Sequence, residues 1–565
     1  MLDKHERDAY YKDVQQRAAT IIRFFKLNFG GLAIGTVFYC FSLTPSLLPR
    51  PPLYAGVIAG ISFAVGYAIG AGGSWIIRRF VHTEFSAKVK RIAWWVMLGL
   101  AVIFVISYTV WNAGWENQVR ELIGQADELQ GPHVFTIISI AFVTAAVIVL
   151  TGRLIRKLIQ FAAKLAARWV PARLAAGVGL IAVTVLLVLI FNQGLVRAFI
   201  TVSNRIYHSH NQTTADGVVQ PQTTLRSGGP ESLVPWKTLG FQGRSFIGSG
   251  PDQSELEHLN GRPGLEPIRV YAGLDSAPTV QARADLTVRE LERTGAFDRS
   301  VLVVATTTGT GWVEPQAADS LEYMWNGDTA IAAMQYSYLP SWISFLVDQQ
   351  NATEAGQALF NAVYNKWKTL PPETRPKLIA YGLSLGSYGG QSAFSGVEDI
   401  QNRTSGALFV GTPSNSQPWE RFKAQRDKGS PEWQPVYQGG RVVRFAATSE
   451  DLAKPDSSWS SPRLLYLQHA SDSVVWWNYN LIWHKPDWLK EKRGPDVSPD
   501  MQWYPFITFA QVTVDQFFGT TVPNGHGHNY ADTIVAAWRS ITQPADWSAE
   551  QSQKLQTIIG AYPND

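Results

Sequence analysis

The chain has 565 residues, of which 46% are hydrophobic and only 17% charged, with a net charge of +4 and a mean hydropathy near zero. That balance excludes a disordered chain. The single cysteine, Cys40, excludes a disulfide scaffold, a zinc ribbon and a thiol redox pair, and the lack of a Lys/Arg block outside apolar flanks argues against nucleic acid as a partner. The averages conceal two unlike parts: residues 1–205 carry 21 Lys/Arg against 9 Asp/Glu, whereas the remainder carries 28 against 36.

The first part holds five uncharged runs, Leu27–Pro49, Leu53–Ile77, Ile92–Trp111, Val134–Thr151 and Leu174–Phe191. Each is near the roughly 20 apolar residues that a helix needs to cross a bilayer, so residues 1–205 read as an α-helical transmembrane bundle of about five spans. Basic residues cluster in 1–26, 78–91 and 152–173, while the alternate loops hold only Arg50 and Arg120 together with Glu116, Glu121, Asp127 and Glu128. The positive-inside rule then places the N-terminus in the cytoplasm and everything after Phe191 on the periplasmic or extracellular side of the plasma membrane. The first run follows a long, acid-containing N-terminus and precedes no small-residue cleavage site, so it reads as a retained span. Gly56, Gly60, Gly66 and Gly70 suit close packing on a helix face. No run contains a charged residue or a histidine, which favours an anchor over a transporter. Arg153–Arg173 alternates basic and apolar residues, the pattern of an interfacial helix or of a plain inside loop.

Residues 206–262, rich in Gln, Thr, Gly, Ser and Pro, read as a linker and lead-in. Their His208-x-His210 pair has no third ligand and reads as solvated chain rather than a metal site. Residues 263–565 alternate strand and helix signals. Strands are expected at Ile268–Leu274, Val301–Ala305, Ala330–Tyr338, Lys377–Tyr381, Ala407–Val410, Val442–Ala446 and Leu464–Gln468, with helices at Ala284–Thr294 and Ala358–Leu370, after Ser387, and at Ile534–Trp538. This is the pattern of an α/β domain with a mostly parallel sheet.

Gly382-Leu383-Ser384-Leu385-Gly386 follows the fourth strand directly. In a G-x-S-x-G turn a strained serine needs small neighbours two residues away on either side. The partners should follow in the order acid, then histidine. Asp472 lies just past Leu464–Gln468 and is preferred to Asp451, which follows the preceding strand. Pro523–Tyr530 is a glycine-rich loop before the last helices, and it offers His528 or His526, with His528 preferred. His469 and His484 sit in apolar sequence and read as core residues. Leu385 N–H is the first expected oxyanion donor, and Thr307, in the loop Thr306–Gly311 after an early strand, is the second. Two insertions, Thr412–Gly440 and the stretch between Asp472 and His528, are rich in Trp, Tyr and Phe and suggest an aromatic cap over an apolar acyl pocket or against lipid, or equally a cap with a small core of its own.

These residues carry a resemblance. The outer part resembles the α/β-hydrolase superfamily and, more narrowly, a family of bacterial multi-span membrane proteins with a C-terminal α/β-hydrolase domain, mostly of unknown function. The matching stretches are Pro235–Gly240, Gly309–Trp312, Gln335–Trp342, Gly382–Gly386, Tyr466–Trp477 and Gly525–Tyr530. The resemblance implies a Ser-Asp-His hydrolase without a cofactor or a metal, and it names no substrate. With the membrane anchor it suggests a bilayer-bound serine esterase acting on a lipid or acyl ester. The alternatives are an acyltransferase with the same triad, or a non-catalytic envelope scaffold or lipid-transport accessory.

Overall fold

The computed structural model describes residues 27–81, 85–347 and 349–563. Among the described residues four helices are long and apolar enough to cross a bilayer: Pro52–Phe80, Ala87–Leu122, Val134–Ala166 and Arg173–Asn211. Their outward faces carry side chains such as Phe135, Phe142, Ile181 and Phe191, all more than half exposed. Such surfaces suit hydrocarbon rather than water and point to membrane association.

The first apolar run behaves differently. It is helical only over Phe29–Ser42, 14 residues, or about 21 Å at 1.5 Å per residue, against a bilayer core of about 30 Å. Pro45 and Pro49 cannot continue the helix ladder, and residues Leu43–Arg50 turn inward and are buried. The expected five spans are therefore four long helices and one short one. Residues 1–26, on which part of the orientation argument rests, lie outside the described residues.

Two more boundaries move. The fourth run continues as helix to Ala166, so Arg153, Arg156, Lys157 and Lys164 ride on its extension and no separate helix covers Arg153–Arg173. The fifth continues through a π-helical turn at Ile190–Val196 to Asn211. This carries the His208 and His210 rings onto Tyr338 and Phe241, at 5.2 and 4.3 Å. The glycine pairs serve two neighbours. A Cβ on Gly60 would lie 2.6 Å from Thr144 Cβ in the Val134–Ala166 helix, and one on Gly70 would lie 2.1 Å from Gly30 O in the Phe29–Ser42 helix.

Seven parallel strands form one sheet: β1 (Ile268–Ala272), β2 (Val301–Thr306), β3 (Thr329–Met334), β4 (Lys377–Leu383), β5 (Gly406–Val410), β6 (Val443–Ala446) and β7 (Arg463–Leu467), in the order β1-β3-β2-β4-β5-β7-β6. The strands are almost wholly buried, as a parallel sheet covered on both faces requires. Leu302 and Val304 pack with Leu291, Leu359 and Val363 on one face, and Val301 and Val303 pack with Leu321, Ile534 and Trp538 on the other. Residues 212–262 belong to this packing: Val234, Leu239, Ile247 and Leu256 are buried in the second of these layers. After β2 the chain moves to β3 on one side and then returns past β2 to β4 on the other. That reversal leaves a crevice at the carboxyl ends of β2 and β4, where open α/β sheets bind ligands.

The helical part and the sheet domain share one core. Leu47, Leu48 and Ile123, fully buried, pack in the same cluster as Val475, Trp476, Val512 and Val522. The turn they come from is tied by polar contacts. Arg50 pairs with Glu116 and donates to the carbonyls of Ser42 and Thr44 at 3.2 and 2.8 Å. Gln511 donates to the same two carbonyls at 3.1 and 3.0 Å. Asp515 Oδ2 accepts from Leu47 N at 3.1 Å and from Ser46 Oγ. Burial pushes the Asp515 carboxyl up to about 7, against the pull of Arg50 and of its own hydrogen bonds.

Asp515→Ala should destabilise the chain by about 3 kcal/mol, because the Ser46 hydroxyl and Leu47 N–H are left buried and unpaired. A smaller loss of thermal stability would show the tie to be dispensable. A carboxyl raised in the folded state stabilises fully below its unfolded pKa, near 4, and loses that contribution as pH rises through about 7. Asp515→Asn should therefore flatten the decline of unfolding temperature between pH 5 and 8.

Candidate active site

Ser384 sits where β4 ends and the Leu385–Gln391 helix begins, with φ 54° and ψ −125°. Few non-glycine residues adopt this geometry, and it is a form of stored strain. The turn is held by Ser384 N donating to Val410 O and by Tyr388 N donating to Ser384 O, at 2.9 and 3.0 Å. The flanking residues have no room for side chains. A Cβ on Gly382 would lie 2.4 Å from Gly386 O, and one on Gly386 would lie 2.2 Å from Thr306 O. The G-x-S-x-G spacing is thus a steric demand of the strand-to-helix corner.

Asp472, just beyond β7, is fully buried. Its Oδ1 accepts from Val474 N and Val475 N at 2.8 and 3.4 Å, which caps the short Ser473–Trp476 helix. Its Oδ2 lies 2.7 Å from His528 Nδ1 and accepts from Tyr530 OH at 2.6 Å. Four contacts therefore fix the carboxylate. His528 N donates to Gly519 O at 2.7 Å, and the ring lies against Gly411, where a Cβ would come within 2.3 Å of Cε1. With Nδ1 taken by Asp472, Nε2 is left buried and without a protein partner. Ser384 and His528 line one cavity of about 720 Å³ together with Leu385, Thr308, Trp312 and Phe345. No hydrogen bond joins the two side chains in this state of the protein; such bonds are often loose before substrate binds.

The rival residues have other partners. Asp451 caps the turn after β6, accepting from Ala447 N and Thr448 N at 3.1 and 3.2 Å and pairing with Lys454. His526 faces Asp496 at 3.5 Å and is not among the cavity-lining residues. His469 is buried, with Nδ1 2.9 Å from Gly527 O and its ring stacked on Tyr530 at 4.2 Å. His484 is not among the cavity-lining residues. Thr307 is not among the cavity-lining residues and its hydroxyl donates to Met334 O at 3.0 Å, while Thr308 and Thr310 of the same turn line the cavity. Among the described residues no group of three or more His, Cys, Asp or Glu could hold a metal.

Of the two roles open to the aromatic insertions, most of their large side chains take the core one. Trp419, Trp476 and Trp488 are buried core residues. The N–H groups of Trp419, Trp476 and Trp477 are satisfied by Gln468, the His469 carbonyl and Thr513, as large buried indoles require. The aromatic lining comes instead from Phe241, Phe246, Trp312 and Phe345, while the insertions supply Pro413, Val474, Gln516 and Thr520. Two neighbours escaped the sequence reading. Tyr530 holds Asp472, and its only linear signal is its place two residues after His528. Glu314, which also lines the cavity, opens an otherwise ordinary helix.

Residues 268–555 match an α/β-hydrolase family, and residues 43–251 match an α/β-hydrolase family N-terminus. The chain belongs to this α/β-hydrolase family. The N-terminal match begins at Leu43, the first residue of the buried turn that joins the helices to the sheet domain. No curated protein and no solved structure matches the chain.

Gly411→Ala should push the His528 ring off Asp472, since the new Cβ overlaps the imidazole and φ is +53°, at a cost of about 1–3 kcal/mol. Tyr530→Phe removes one hydrogen bond from a buried carboxylate and should cost about 1–2 kcal/mol. Thermal unfolding of both variants reads these effects, and unchanged stability in Gly411→Ala would refute the contact.

Proposed function

We propose that the protein is a membrane-anchored serine hydrolase that cleaves esters of lipid or acyl type. One observation carries the reading: a strained serine at a strand-to-helix corner shares a cavity with a histidine whose Nδ1 is held by a buried aspartate. In this reading His528 Nε2 takes the proton of Ser384 as Oγ attacks the ester carbonyl. Asp472 holds the tautomer and stabilises the imidazolium. The oxyanion forms against Leu385 N–H and a second donor from the turn that begins at Thr307. The carbonyl–alkoxide bond then breaks, and the alcohol leaves with the proton from His528. Water, deprotonated by the same histidine, releases the acid from the acyl-enzyme.

The lipid preference rests on the surroundings. Tyr504 stacks on Phe41 at 4.3 Å and Phe518 packs on Tyr54 at 4.8 Å, so the 504–518 segment lies on the ends of two apolar helices. Tyr479, Trp483 and Phe517 stand exposed in the same region, as aromatic side chains do at a bilayer interface. Gln516 and Thr520, on either side of Phe517 and Phe518, line the cavity. An acyl chain from the adjacent leaflet would reach Ser384 by this route. In this reading the cavity lies on the periplasmic or extracellular side, which the basic loops at 78–91 and 152–173 support.

A fluorophosphonate should label the wild-type chain and not Ser384→Ala; equal labelling of both would overturn the assignment. His528→Ala should lower kcat/KM on a long-chain ester by about 10³-fold or more. His526→Ala should change it by less than about fivefold. Product analysis with an added alcohol distinguishes transfer from hydrolysis.

A further inference from the structure

Three ionisable side chains line the cavity: Arg269, His528 and Glu314. Two are neutralised within the protein. Arg269 is held by Asp319 at 2.6 Å and by both oxygens of Glu322 at 2.8 and 2.6 Å, and His528 is paired with Asp472. Glu314 differs. It is 7% exposed. Its Oε2 accepts from Tyr381 OH at 2.9 Å, no ion pair joins the carboxylate to a Lys or Arg among the described residues, and the side chain lines the cavity. The groups that face it are Tyr381 from β4 and His528 from the C-terminal loop; Asp319 and Glu322, on the helix that Glu314 opens, are turned to Arg269.

A buried carboxylate without a cation is unfavourable. The Tyr381 hydroxyl does not account for it, because a glutamine would accept the same bond without a charge. Burial pushes the Glu314 carboxyl up to about 7, and the Tyr381 hydrogen bond and nearby His528 pull it down. The N-terminus of the Pro315–Met324 helix, which Glu314 precedes, also favours the ionised form. Trp312, two residues away in sequence, lines the same cavity, as do Phe241 and Phe345. A cavity lined by a carboxylate and by aromatic side chains has the chemistry that receives an alkylammonium group, through charge pairing and cation–π attraction.

We propose that Glu314 and Trp312 form a subsite for a cationic alkylammonium group, so that the preferred substrate is an acyl ester bearing such a group. This rests on the serine hydrolase reading for the reaction, but not for the binding. Glu314 is a specificity residue, and an ionised carboxylate in the wall disfavours anionic substrates to the same extent that it favours cationic ones.

The test compares two esters of the same shape, an acyl choline and its uncharged 3,3-dimethylbutyl counterpart, on the full-length chain. Wild type should favour the cationic ester by about tenfold or more in kcat/KM. The preference should grow from pH 6 to pH 8 as Glu314 ionises, and it should collapse towards unity in Glu314→Gln. A wild-type ratio near one, or an undiminished ratio in Glu314→Gln, overturns the proposal. Binding is read separately, by the shift in unfolding temperature with butyltrimethylammonium and with 3,3-dimethylbutanol. Stabilisation of wild type by the cation alone supports the subsite, and equal effects of the two ligands refute it. If the cation binds selectively while neither ester is turned over and no fluorophosphonate label forms, the hydrolase reading fails and the cation subsite stands.

Discussion

A turn that leaves a helix between two apolar segments must find donors for its carbonyls, because no water reaches them. The Ser42–Arg50 turn is such a case, and the arrangement of the molecule follows from how it is satisfied. Arg50 folds back onto the carbonyls of Ser42 and Thr44, Asn112 reaches Leu43 O, and Gln511 and Asp515 complete the set from the sheet domain. The polar requirements of a membrane-side loop are thus met by side chains of the α/β domain. The apolar residues of that loop, Leu47 and Leu48, fill the α/β core in return. Neither part is fully packed without the other.

The same segment leads to the candidate site. The Ile507–Asp515 helix ends at the residue that grips the turn, and the chain then passes Gln516, Thr520 and Gly519 before reaching His528. Gly519 O receives His528 N, and the side chain of Leu48 comes within van der Waals distance of a Cβ placed on Gly527. The histidine is therefore positioned by Asp472 and Gly519 through hydrogen bonds and by packing against Gly411, and the loop that carries it meets Leu48 at Gly527. The serine is held by a different device, the steric closure of Gly382 and Gly386 against the backbone.

The strands were legible because each is a short apolar run between turn signals, and all seven lie within a few residues of their expected bounds. Ser384, Asp472 and His528 were legible because chain order and strand ends restrict where an acid and a histidine can return to the elbow. Helix extents were not, because charged residues such as Arg153 and Lys157 end an uncharged run without ending a helix. The lead-in read as linker by composition, yet buried arginines hold it down. Arg226 donates to Ile247 O and Ser249 O, and Arg244 donates to Asn211 O. Side chain to carbonyl ties of this kind leave no trace in hydropathy or periodicity. Glu314 escaped for a related reason: its character comes from what surrounds it in space, and its neighbours in sequence say nothing of it.

The long helix that ends at Asn211 runs directly into the α/β domain. Asn211 Oδ1 accepts from Phe241 N and Gln335 Nε2, at 3.2 and 3.0 Å. The Ser42–Arg50 turn makes a second attachment, and Gln118 makes a third by accepting from Ser498 Oγ and donating to Asp500. One attachment would leave a tethered body free to tumble, and two would leave it a hinge. Three separate attachments restrict how far the domain can swing. The cavity is therefore held in a fixed relation to the apolar helices. For the lipid ester proposed as substrate, such a fixed relation would present the serine without the two parts having to find each other first.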